Sequence, residues 1–350
     1  MSSSIGPALS WSTRVGEADW IAERLLAPDE RVVASIVPGG FDAYVRLLHP
    51  IGTDPNAHGI PVRWSEVAAW SGRTLDRDSQ FHAIAVSLDE SDQLPPWHGA
   101  KPRQGSLEPD DARALIDVLG RHTSTPSRCW FCIWDGYGWG DGESLAHRAD
   151  LAGRLADPPI PAGVRAPIPA EVRAGPRVRL PERDYYLYSG PLDAALAFVD
   201  SGRQTPNLFW PDDRAWCAAS EIDLSSTYVA GSRLLAAELV EDHRIEALAV
   251  EPTDSSWRVA PWVVELVETS VDTLILRRRM AIDTSVGFIY ASLAHSRFRR
   301  RGTGTFAIAT ARANGTMVNR QKAVRIGRDD DLRAALVPAL TRAVIELVGE

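Results

Sequence analysis

Four carboxylates with the potential for acid-base or metal chemistry stand within Pro206 to Ser232, which reads PNLFWPDDRAWCAASEIDLSSTYVAGS. Asp212 and Asp213 precede Arg214, and Glu221 and Asp223 follow a run of strand-forming residues. If Ala215 to Ile222 is a strand, Trp216, Ala218, Ser220 and Ile222 take one face, and Cys217, Ala219, Glu221 and Asp223 the other. Glu221 and Asp223 then lie about 7 Å apart by strand rise. That spacing fits a general acid and base or, with Asp212 and Asp213, a divalent-metal site. A structural alternative is that Arg214 neutralises the two aspartates while Glu221 and Asp223 face water at a sheet edge, a common place for carboxylates.

Other candidate motifs point away from cofactor chemistry. Cys129-Trp-Phe-Cys132 has the spacing of redox and zinc sites. It sits in a strand pattern, however, where the two sulfurs project to opposite faces, and no second such pair completes a zinc site. Gly136, Gly138, Gly140 and Gly142 follow this strand as a dinucleotide loop would. Asp141 occupies the position where that motif needs its third glycine, and Asp135, Asp141 and Glu143 would repel a phosphate. An aromatic loop carrying Tyr137 and Trp139 is the better description. The eight histidines show no ligand spacing, and no serine-hydrolase elbow is present. No motif calls for a cofactor or a metal.

The elements that must position these residues follow from periodicity. A short helix is expected around Glu17 to Leu26, and two strands, Arg31 to Val37 and Phe41 to Leu48, around Pro38-Gly39-Gly40. Trp64, Val67 and Trp70 mark one helix face, and Phe81 to Val86 reads as a strand. Pro109 opens a helix to about His122, with Ala112, Leu115, Ile116 and Leu119 inward. Cys129 to Trp134 is a strand, and a helix capped by Ser144 runs to about Leu155. Seven prolines between Asp157 and Pro181 predict a linker or surface strap. Beyond it come a strand at Tyr185 to Tyr188, a short helix from Pro191 to Phe198, and a turn at Ser225-Ser226 with a strand to Ala230. Ser232 then caps a helix to about Glu241, and Ile245 to Val250 is a strand. Near the end, Thr305 to Ile326 forms a hairpin about Asn314-Gly315, and Asp329, Asp330 and Asp331 open a helix that Pro338 should kink.

Composition bounds the class. The chain has 350 residues, 45% hydrophobic and 24% charged, as in ordinary globular proteins. Three cysteines, Cys129, Cys132 and Cys217, are too few for a disulfide framework. No run is long and apolar enough for a membrane helix, and Met1 to Glu17 lacks the pattern of a secretory signal, so the expected location is cytoplasmic. Charge is uneven: residues 1–270 carry 24 basic against 39 acidic side chains, a net −15, and residues 271–350 carry 14 against 7, a net +7. The second part includes Arg277 to Arg279 and Arg297-Phe-Arg299-Arg300-Arg301, the one patch suited to nucleic acid.

On NLFWPDDRAWC at 207–217 and SEIDLSSTYVAGS at 220–232, the chain resembles a family of uncharacterised proteins from high-GC, actinobacterial-type bacteria. The likeness extends to FDAY at 41–44, WSEVAAW at 64–70, GSL at 105–107, CWFCIWDGYG at 129–138 and DYYLYSGPL at 184–192, covering about residues 38 to 256. It implies no activity. The order strand, strand, cap, helix, strand also resembles SUKH modules, many of which bind toxins as immunity proteins. WVVELVETS at 262–270 is similar to a phrase in translated repeat elements of high-GC genomes. That similarity implies a family domain ending near Trp257 and an appended remainder.

These features predict an α+β protein. A main unit over 1–258 contains a mixed sheet, peripheral helices and a strap at 157–183, and a basic segment of hairpin plus helix spans 271–350. The expected function is non-enzymatic protein binding, with an immunity-like role as one form of it, through an acidic and aromatic surface of Trp210, Asp212, Asp213, Trp216, Glu221 and Asp223, with Trp134, Asp135, Tyr137 and Trp139 from the loop. Tryptophan and tyrosine serve such surfaces because they bury much area at small entropic cost. The alternatives are a hydrolase or metal-dependent enzyme using Asp212, Glu221 and Asp223, and nucleic-acid contact through the arginine-rich segment.

Overall fold

The computed structural model describes residues 9–51, 61–86, 101–137, 169–181, 183–200, 205–277, 279–284, 287–295, 304–312, 317–326 and 332–348. The Gly138 to Gly142 loop with Trp139, the Ser144 helix, the first part of the proline-rich strap, the Asn314-Gly315 turn, Asp329 to Asp331 and Arg297 to Arg301 lie outside the described residues. The chain forms an α+β fold that divides into two compact units, residues 1–50 with 103–256, and residues 51–102 with 257–350. Residues 51–102, read above as part of a continuous main unit, therefore join the C-terminal part.

The first unit is built on nine strands: β1 (Ser10–Trp11), β2 (Ala43–Leu48), β3 (Cys129–Trp134), β4 (Val178–Leu180), β5 (Arg183–Gly190), β6 (Leu208–Pro211), β7 (Cys217–Ser220), β8 (Ser226–Gly231) and β9 (Ala247–Val250). Their order is β1-β5-β3-β6-β7-β8-β2-β9, with β4 pairing β5, and every pairing is antiparallel. Both faces of this sheet are covered. On one face Phe131, Phe209, Trp216, Ala218 and Val229 pack with Leu115 and Leu119 of the Pro109–Arg121 helix and Leu235 and Leu239 of the Arg233–Glu241 helix. On the other, Trp130, Cys132, Leu187, Trp210, Cys217 and Tyr228 pack under the N-terminal residues Trp20, Ile21, Val33 and Val37. A sheet buried on both sides has strands that are continuous apolar runs, which accounts for CWFCIW in β3 and the apolar centre of β5.

The predicted cap at Ser232 forms: its hydroxyl accepts from the Leu235 amide at 3.2 Å and starts the Arg233–Glu241 helix. The predicted strand Arg31 to Val37 does not form. Instead Val33–Ser35 is a 3-10 turn, and the Val33 and Ala34 amides donate to the Asp254 and Pro252 carbonyls at 3.0 Å, so no ladder with β2 is available. Phe81 to Val86 is likewise no strand but starts as the one-turn helix Phe81–Ile84, because a short apolar run carries no distinguishing period.

In the second unit the Trp64–Ser71 helix buries Trp64 and Val67, and the Trp64 ring meets Phe81 edge-on at 5.4 Å. The Pro261–Arg277 helix, which contains WVVELVETS, begins against this segment: the Ala260 amide donates to His82 Nε2 at 3.2 Å and Trp262 Nε1 to the Ala83 carbonyl at 3.3 Å. The expected hairpin is present as β12 (Gly304–Arg312) and β13 (Met317–Ile326), and it is extended by β10 (Arg279–Thr284) and β11 (Gly287–His295) into a four-stranded antiparallel sheet. The last helix, Leu332–Val348, runs through Pro338. Pro338 and Ala334, whose carbonyl loses its amide partner, are both on the exposed side, where water can replace the bond.

Candidate functional site

β6 and β7 form a hairpin in which Leu208 faces Ala219 and Phe209 faces Ala218. This register puts Asp212 and Asp213 at the turn and Glu221 and Asp223 beyond the opposite end, roughly 20 Å away along the strands. Asp212 therefore does not meet Glu221 and Asp223 in one acid-base or metal site, as the enzymatic alternative required. Among the described residues, no group of three or more His, Cys, Asp or Glu side chains is placed to hold a metal ion.

At the turn, both carboxylates are committed to the fold. Asp212 pairs with Arg128 and accepts from Trp130 Nε1 at 3.2 Å. The bond from Arg128 holds the Asp212 carboxyl below the usual carboxylate range. Asp213 accepts from Thr123 Oγ1 at 2.8 Å, from the Ser124 amide and hydroxyl at 2.7 Å each, and from the Ala215 amide at 3.1 Å. Burial opposes its charge, but these donors outweigh it and depress the Asp213 pKa. Arg214, expected to neutralise the pair, lies instead over the Trp20 ring, 5.4 Å from its centre. The expectation that Trp210 and Trp216 contribute to a binding surface also fails. They are 1% and 0% exposed, on opposite faces of a sheet covered on both sides, and Trp216 Nε1 donates to the Leu119 carbonyl at 3.1 Å.

The opposite end gathers residues from β3, β5 and the β7–β8 turn. Arg183, at the start of β5, donates to Glu221 Oε1 at 2.8 Å and to Asp223 Oδ2 at 2.9 Å, and its guanidinium lies 5.6 Å from the centre of the Trp134 ring. Asp223 remains 74% exposed. Trp134 is half-buried, and its amide donates to Asn207 Oδ1 at 2.9 Å. Its ring folds back over Gly136 so closely that a Cβ there would stand 2.1 Å from it. Asp135 faces Arg177 at 3.4 Å, and Arg177 in turn covers the Tyr186 ring at 3.8 Å. Five of the ten expected site residues thus belong to this end by position: Trp134, Asp135, Glu221, Asp223 and, through the backbone of the 3-10 turn Asp135–Tyr137, Tyr137. No family model, curated protein or solved structure matches this chain.

Beneath this end runs a buried polar chain that sequence reasoning did not find. His49 Nδ1 lies 2.6 Å from the Arg103 carbonyl, which makes it the protonated nitrogen, and Nε2 then accepts from Thr227 Oγ1 at 2.8 Å. Thr227 meets Ser220 Oγ at 2.6 Å, one residue inside Glu221. Burial lowers the His49 pKa to about 4. The neighbouring re-entry of the chain is equally fixed: Gly105 has φ 69°, and a Cβ there would stand 2.9 Å from Ile222 Cα. The cysteines lie on opposite faces as expected, Cys129 with the helices and Cys132 with Trp130, and burial pushes the Cys129 thiol up to about 12 and raises the Cys132 and Cys217 thiols as well. Neutral buried thiols are poor nucleophiles and poor metal ligands.

The sequence held no local signal for Arg183 or Arg128, because each meets its carboxylate only through pairing between distant strands. Their partners were legible; the pairing was not.

Proposed function

We propose that this protein is a non-enzymatic protein-binding module whose contact surface is the end of the sheet around Trp134, Asp135, Arg183, Glu221 and Asp223. The observation that carries this reading is Arg183, which ties a half-buried tryptophan of β3 and two carboxylates of the β7–β8 turn into one surface patch. Trp and Arg dominate the energetics of protein interfaces, and an arginine already held by two carboxylates loses little freedom on binding. No helix among the described residues is long and apolar enough to cross a membrane, and the setting we assign is the cytoplasm of a high-GC bacterium, in the family marked by the motifs at 207–232. An immunity-like role, the capture of a single toxic partner, belongs to the same proposal.

The test is affinity capture from the source cell with the full chain and three variants. Trp134→Ala and Asp223→Ala are expected to lose a partner that Arg128→Gln, at the far end of the hairpin, retains. Capture of the same partners by all four proteins would refute the assignment.

A further inference from the structure

The face of the first unit that carries Trp20 holds three arginines over a band of tryptophans, and a fourth, Arg128, is held by Asp212 beside Trp130. Arg14 lies over Trp130, and Arg24 and Arg214 both lie over Trp20, at 5.5 and 5.4 Å from the ring centre. Trp20 meets Trp210 edge-on at 6.2 Å, and Trp130 and Trp210 are direct partners across β3 and β6. The four cations are not equivalent. Arg14 pairs with Glu17 and Arg128 with Asp212, whereas neither Arg24 nor Arg214 has an ion pair among the described residues. Both guanidiniums lie over the same indole, so they are at most about 11 Å apart, within the span of a diphosphate and its hydrogen bonds.

Two further observations fall at the same place. Trp20 is 5% exposed, yet its indole N–H has no acceptor among the described residues. An orphaned buried donor is costly and calls for a reason. Arg214 sits at φ 54°, in the left-handed region that disfavours a residue with a Cβ. A hairpin turn normally fills such a position with glycine or asparagine. Here the strained residue is an arginine, and the strain directs a second guanidinium over Trp20. Strain kept where a less costly residue would serve is a mark of function.

We propose that this face is an oxyanion site, with Arg24 and Arg214 as its cations and a phosphate or diphosphate group as its ligand. Guanidinium recognises phosphoryl oxygens through paired N–H donors, and the stacking on Trp20 pre-orients both groups. The site lies at the turn end of the β6–β7 hairpin and is independent of the protein-binding surface at the other end.

Thermal unfolding of the full chain tests this, in inorganic phosphate or pyrophosphate against sodium chloride of equal ionic strength. A ligand that binds only the folded state raises Tm in a saturable way. The wild type is expected to show that rise with at least one of the two anions. Arg24→Gln and Arg214→Asn, the latter compatible with the left-handed backbone, are each expected to weaken the apparent affinity at least tenfold. The paired Arg128→Gln should keep the response. Absence of a saturable rise with either anion in the wild type, or an unchanged rise in Arg24→Gln and Arg214→Asn, would overturn the proposal. Arg24→Gln leaves the turn untouched, so it decides the matter even if the Arg214 variant folds poorly.

Discussion

At its turn the β6–β7 hairpin surrounds Asp213 with four donors, while at its other end Glu221 and Asp223 share one arginine. The carboxylates are similar in sequence and opposite in use. A carboxylate saturated by local donors has become part of the backbone's own hydrogen-bonding and has little left to offer a partner. One held at a single point, with 74% of its side chain in water, still does. Acidity along a sequence therefore does not tell which acids stay open to a partner; the number of internal donors each acid meets does.

The largest loss of stability is expected in the core behind the turn. Trp216→Ala removes a fully buried indole that packs edge-on against Phe209 at 5.7 Å, and should cost about 3–5 kcal/mol of unfolding free energy by denaturant titration. If it cost under about 1 kcal/mol, Trp216 would not be the core residue described.

Acid separates the two ends by pH window. The His49 pKa is about 4 in the folded chain against an ordinary 6.5, so between these values the unfolded chain binds a proton that the folded one refuses. Stability is therefore full above pH 6.5 and falls as the pH drops toward 4, by up to about 3 kcal/mol. Asp212 and Asp213, whose pKa values are depressed, contribute stability above the ordinary carboxylate range that is lost only at lower pH. The open end should accordingly loosen first, and His49→Gln should flatten the stability profile between pH 4 and 6.5 while leaving the acid limb below it.

Much of this architecture was legible in the sequence, and the exceptions have physical causes. β3, the Pro109–Arg121 helix and the Ser232 cap follow from local pattern, since strand composition, an N-terminal proline and a capping hydroxyl act within one element. The two-sided burial of Trp210 and Trp216 was not legible, because alternation tells which residues share a face but not whether a second layer covers it. Arg183 and His49 escaped for a related reason: their roles depend on β5 lying beside β3 and on β2 lying beside β8, contacts between segments far apart in the chain.

Smaller effects sharpen the contrast. Asp213→Ala strips four hydrogen bonds from the turn and should lower stability by about 1–2 kcal/mol, discounted for its exposure, with no change in partner capture. Gly136→Ala should displace the Trp134 ring and reproduce the binding loss of Trp134→Ala without removing any side chain. Asp223→Ala, at an exposed site, should alter stability by less than about 0.5 kcal/mol while weakening binding.

Amide hydrogen exchange of the full chain, with and without its captured partner, addresses the central claim most directly. Protection on binding is predicted at residues 133–136 and 221–225, with residues 211–215 unchanged. Protection confined to 211–215, or none at either end, would contradict it.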